Sequence, residues 1–139
     1  MKNLFLTLTF FFIVCNEADC QSQFIKDLIA KMTVEDKCGQ MTQVTFDVIS
    51  KPGPLSDPDE NPIDTNKLLV AIRDRRVGSI LNTPYNTAQK ATTWQKIITS
   101  IQDAALTYNL KIPIIYGLDS IHGANYIRES TLFPQPISM

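Results

Sequence analysis

Apolar and polar positions change rhythm several times along this chain, and each rhythm predicts a different element. Residues 4–14 are almost uninterruptedly apolar, preceded by the single charge of Lys2 and followed by a polar stretch. That is the three-part layout of a secretory signal peptide. Small residues at Ala18 and Cys20 place its cleavage before Gln21, so residues 1–20 are the expected signal. At 1.5 Å per residue the run spans only roughly 16 Å against ~30 Å of hydrocarbon, and no membrane association is expected after cleavage.

From Phe24 the spacing becomes helical. Phe24, Ile25, Leu28, Ile29 and Met32 share one stripe of a short helix over residues 24–32. Thr33 to Asp36 has the form of a capping box, with Asp in place of the usual Glu or Gln. Val34, Cys38 and Met41 then recur on one face, which predicts a core thiol at Cys38. Residues 51–62 hold four of the eight prolines, a density that denies the backbone its donors and predicts a surface loop. Asp57, Asp59 and Asn61 have the opening spacing of a calcium loop. However, Pro62 stands where the sharp turn needs Gly and Leu68 where a bidentate Glu belongs, so no calcium site is expected. Asp64 is a predicted N-cap for a helix over residues 66–73, with Arg73, Arg75 and Arg76 placed where a helix carboxyl end favours positive charge.

Residues 77–81 form a short β-rich run closed by Asn82, Thr83 and Pro84, a predicted buried strand. Trp94, Ile97, Ile98, Ile101, Ala104 and Ala105 repeat at helical spacing within residues 88–108, the strongest helix signal in the chain. Residues 113–117 read as a second buried strand. Strand, crossover helix and strand make a βαβ unit with a parallel pair. One crossover is too few for a finished α/β domain, and residues 131–139 run out apolar and uncapped. The expectation is therefore an α/β chain that opens a longer enzyme and is truncated after about two strands.

Composition narrows the function. Thirteen Lys and Arg against fourteen Asp and Glu give a net charge of -1, which leaves no footprint for a phosphate backbone, so no nucleic-acid partner is expected. One His and three Cys are too few for a structural zinc domain. Cleavage after Cys20 removes Lys2, Glu17 and Asp19, leaving twelve charges of each sign. It also leaves Cys38 alone, with no intramolecular disulfide to form. No N-x-[ST] acceptor is present, since Pro84 follows Asn82-Thr83.

In parallel α/β proteins chemistry sits at the carboxyl ends of strands. There, residues 117–125 crowd together Asp119, the single histidine His122, Asn125 and two glycines. Asp119 is the candidate to accept hydrogen bonds from a polyol, with His122 and Asn125 shaping the turn. The alternative is a capping Asp beside a structural His. A metal site would need a third ligand from elsewhere, and none is expected.

The segment from Ile29 to Gln43 resembles the opening "LxxMTxEEKxGQMTQ" block of glycoside hydrolase family 3, the β-glucosidases and exo-β-glucanases. Residues 77–82, 112–123 and 131–134 resemble that family's "GSxLN", "IPxIYGxDxxHG" and "TxFP" blocks, in order and at natural spacing. The resemblance implies the first part of a (β/α)₈ TIM-like barrel followed in the family by an α/β sandwich domain. It also implies retaining hydrolysis of terminal non-reducing β-D-glucosyl residues of β-glucosides or β-glucans, with no cofactor. Retention needs two carboxyl groups ~5–5.5 Å apart. In the family the nucleophile lies in an "SDW"-like motif late in the barrel and the acid/base further on. No such motif occurs here, so no catalytic residue is expected and the chain alone should be inactive. The family's sugar-holding Lys-His pair and Arg also fall outside it. Asp119 carries over as the substrate-binding residue that holds sugar hydroxyls, and His122 as a structural residue of the loop. Cys38 replaces a usual Ile, and Gln135-Pro136 replaces the commoner His-Asn. The implied route is secretory, to an extracellular, lysosomal or periplasmic destination. A secreted sugar-binding or decoy module without hydrolase activity is the competing expectation.

Overall fold

The computed structural model describes residues 22–134 apart from Ser56, Pro58 and Asn109. The expected signal segment lies outside the described residues. The chain divides after Met32. In the first unit, the Ser22 side chain accepts a hydrogen bond from the Ile25 N–H and opens helix α1, Gln23–Lys31. Phe24, Ile25 and Ile29, on the expected apolar stripe, are exposed.

The second unit begins with the capping box that the sequence predicts. The Asp36 N–H donates to the Thr33 hydroxyl at 3.1 Å, and the Thr33 N–H donates back to the Asp36 carboxylate at 2.9 Å. Helix α2, Val34–Gln40, follows. Replacing Thr33 with Ala should cost about 1 kcal/mol of stability, measured as a shift in urea midpoint. The bonds from Thr33, and then the nearby Arg76 guanidinium 2.8 Å away, hold the Asp36 carboxyl below the ordinary aspartate value of 3.8. A folded-state value below the unfolded one means this stabilisation is present above pH 3.8 and is lost as pH falls through the lowered value. Asp36→Asn should therefore flatten the acid limb of the stability curve below about pH 4.

Three short parallel strands follow in chain order: β1, Gln43–Thr45, β2, Ser79–Leu81, and β3, Ile115–Gly117. Their register aligns Val44 with Ile80, and Ile80 with Tyr116. Because side chains alternate along a strand, Val44, Ile80 and Tyr116 share one face and pack into the core, whereas Ile115 on the other face is exposed. The sheet is thus covered on one side. β2 and β3 lie where the βαβ pattern predicts them, joined by helix α4, Ala91–Thr107. β1 is an addition to the expected pair.

The core gathers Trp94, Ile97, Ile101 and Ala105 from α4 with Ile80, Phe46, Ile49, Ile63, Leu68, Ala71, Ile72, Val77 and Ile114. Full burial of the Val, Leu, Ile and Phe side chains among them stabilises by roughly 1.5–3 kcal/mol each. Asp64 caps helix α3, Thr65–Leu69, accepting from the N–H groups of Asn66 and Lys67. The helix then widens into a π turn over Val70–Asp74. Of the basic cluster that follows, Arg73 forks onto Asp74 and Arg76 reaches across to Asp36.

The core thiol expected at Cys38 is not found: Cys38 is exposed, as are Val34 and Met41 on its face. Spacing shows which residues share a face but cannot show that anything covers it. Cys38 instead joins Val44, Val48, Val70, Ala71 and Val77 in the wall of an open groove of about 730 Å³.

Candidate functional site

All three strands present their carboxyl ends on the same side, so the segments that follow them are brought together there. After β1, the Phe46–Ile49 turn leads into the proline-rich loop, which is pinched at its base by the Lys51 N–H donating to the Pro62 carbonyl. Its tip is tied to α4: Lys90 pairs with Asp59 at 2.8 Å, Lys96 donates to the Asp59 carbonyl, and Asn61 donates to the Ser100 hydroxyl. The Lys90 ammonium holds the Asp59 carboxyl below its ordinary range.

After β2 the backbone turns sharply. Asn82, Tyr85 and Asn86 all adopt positive φ, a conformation that costs energy in non-glycine residues and is retained where surrounding contacts enforce it. Those contacts are present. The Asn82 N–H donates to the Gly117 carbonyl, the Tyr116 hydroxyl donates to the Asn82 carbonyl at 2.5 Å, and the Tyr85 hydroxyl donates to the Lys51 carbonyl.

After β3 comes the segment that the sequence singles out. Asp119 is exposed two residues beyond the strand, and its carboxylate has no partner among the described residues. The backbone around it is fixed. With its amide nitrogen turned toward them, Asn125 donates to the carbonyls of Asp119 and Gly123 at 3.1 and 3.0 Å. The His122 ring bonds through Nδ1 to the Phe133 carbonyl at 3.0 Å, and the Phe133 N–H donates back to the His122 carbonyl at 2.8 Å. A Cβ on Gly123, at φ 116°, would meet the Thr131 carbonyl oxygen at 2.8 Å, so this crossing requires glycine. The far end of the loop is stitched to the start of α4: the Gln89 N–H donates to the Tyr126 carbonyl, the Arg128 N–H donates to the Gln89 carbonyl, and the Trp94 indole donates to the Tyr126 carbonyl at 2.9 Å. The backbone bonds at Gln89 also explain why α4 starts at Ala91 rather than at the expected residue 88.

Asp119, His122 and Asn125 therefore come together through the loop backbone, while the Asp119 carboxylate itself is left outward. Among the described residues no group of three or more His, Cys, Asp and Glu side chains is arranged to hold a metal ion, and no helix is long and apolar enough to cross a membrane. Spacing marks Trp94 and Tyr116 as members of a buried helix face and a buried strand, and it carries no sign of their grip on this loop. Only the turn residues at positions 82–84 signal that the chain bends sharply beside it.

A parallel sheet with helices on one face and a fixed, carboxylate-bearing loop beyond its carboxyl edge define an α/β protein, and that edge is where such folds carry their candidate sites. The sequence profile of the glycosyl hydrolase family 3 N terminal domain matches residues 33–139, and the chain belongs to that family. It is 32% identical over 127 residues to the lysosomal beta glucosidase of Dictyostelium discoideum, an alignment covering 86% of this chain and 15% of that relative. It is 29% identical over 117 residues to the periplasmic beta-glucosidase of Salmonella typhimurium, covering 84% of this chain and 12% of that relative. The chain thus spans 15% and 12% of the lengths of these relatives.

Proposed function

We propose that these residues serve as the opening strands and helices of a (β/α)₈-type barrel in a retaining β-glucosidase that acts on terminal non-reducing β-D-glucosyl residues and is delivered by the secretory route. In this reading Asp119 grips hydroxyls of the terminal sugar. The nucleophile and the acid/base come from outside these residues, so the 139-residue chain alone is inactive. The barrel part is supported by strands that succeed one another in chain order with helices on one face, and by the uncovered opposite face and open edges.

The observation that carries the sugar-binding part is the placement of Asp119. An exposed carboxylate on a loop held at both ends is pre-oriented, so little conformational freedom is lost when hydroxyls donate to it. A charged acceptor makes stronger hydrogen bonds to hydroxyls than a neutral one. The two relatives are named beta-glucosidases, which supports glucosides as the substrate class. The test is an assay of the full-length protein on an aryl β-glucoside and on cellobiose. Glucose release from either supports the proposal, and release from neither, by folded protein, contradicts it.

A further inference from the structure

We propose that Tyr116 is the positioning residue of this site: its hydroxyl, donating to the Asn82 carbonyl, and its ring, set edge-on against Trp94, fix the carboxyl end of β3 and thereby the direction in which Asp119 projects. This rests on the sugar-binding reading of Asp119 given above.

Tyr116 lies on β3 one residue before its end, three residues ahead of Asp119. Its ring centroid is 5.7 Å from that of Trp94, with the planes 81° apart, the edge-to-face arrangement aromatic pairs favour. From that seat the hydroxyl crosses to the Asn82 carbonyl, which belongs to the positive-φ residue that follows β2. The Asn82 N–H in turn donates to the Gly117 carbonyl, so the two strand ends are joined in both directions. Burial pushes the Tyr116 phenol far above its ordinary value, which keeps it protonated and a donor.

Trp94 continues the same clamp. Its ring fixes Tyr116 upstream of Asp119 and its indole N–H holds the Tyr126 carbonyl downstream. One aromatic pair therefore grips both ends of the segment that carries Asp119. Tyr116 acts through Asp119 and is not itself placed against the sugar.

Tyr116→Phe removes the hydroxyl and keeps the ring. In the full-length protein it should lower kcat/KM on an aryl β-glucoside roughly tenfold, since the Asn82 carbonyl loses its donor and the loop its register. In the Asp119→Ala background the same change should cost less than about twofold, because a residue that acts through Asp119 has nothing left to position. Amide hydrogen exchange across residues 118–127 should quicken about tenfold, while that of residues 97–105 in α4 stays unchanged. An equal cost in both backgrounds, or unchanged exchange in the loop, would overturn the proposal. Wild-type protein without β-glucosidase activity would sink the proposed function instead, and the exchange measurement alone would then decide the role of Tyr116. Should Tyr116→Phe fold poorly, Trp94→Phe removes the indole N–H from the other end of the clamp and is judged by the same two readouts.

Discussion

Asp119→Ala in the full-length protein is expected, on the proposed sugar-binding role, to lower kcat/KM on β-glucosides by about 10²-fold or more. A hydrogen bond to a charged group is worth ~1.5–3 kcal/mol, and each 1.36 kcal/mol is a factor of ten. A carboxylate offers two acceptor oxygens and can take hydrogen bonds from two adjacent hydroxyls, so the loss compounds. The rate should suffer as well as the binding, because contacts to hydroxyls away from the reacting carbon tighten as the ring flattens toward its transition state. Asp119→Asn keeps the shape and one acceptor oxygen and should lie between the two. Stability should hardly move, since the carboxylate is exposed and has no partner among the described residues. Kinetics of Asp119→Ala within a factor of three of wild type, with unchanged melting, would remove Asp119 from the site.

The second large effect concerns folding. Gly39 at the end of α2 and Gly78 just before β2 lie back to back, with the Gly78 N–H donating to the Gly39 carbonyl at 2.9 Å. A Cβ on Gly39 would meet the Arg75 carbonyl oxygen at 2.7 Å and that of Arg76 closer still. On Gly78 it would meet the Gln40 Cα at 2.7 Å and the Gln40 carbonyl oxygen closer still. These obstacles are backbone atoms and cannot rotate aside. Neither φ is positive, so the requirement is for space, not for a left-handed conformation. Gly39→Ala and Gly78→Ala should each destabilise by about 3 kcal/mol, measured by urea unfolding, by prising α2 away from the entry to β2. Because both act at one contact, the double variant should cost less than the sum. A midpoint unchanged in either single variant would show that the two segments part without penalty.

The elements legible in the sequence are those whose signal is local and repeated. Residues of α4 recur over several turns, so the spacing of Trp94, Ile97, Ile101 and Ala105 is enough to declare a buried face. The capping box needs only Thr33 and Asp36, three positions apart, and it forms as the sequence predicts. β1 is illegible because Gln43, Val44 and Thr45 are too few to show alternation, and the strand is specified by pairing with β2. Phe46 and Ile49, fully buried just after it, are hidden for the same reason. Cys38 misleads because periodicity assigns a face without supplying a partner for it. At the site, the position of Asp119 at a strand end is legible. The Tyr116–Asn82 and Trp94–Tyr126 bonds are not, since they join residues more than thirty positions apart.

Retaining hydrolysis of β-glucosides is what we propose for the full-length protein, with the strands described above opening its barrel. Its most direct test follows the anomeric proton of the sugar released from an aryl β-glucoside by the full-length protein, by NMR in the first minutes of reaction. β-Glucose is expected first, with the α-anomer growing in only as mutarotation proceeds. Release of α-glucose first, or no release by protein shown to be folded, would contradict it.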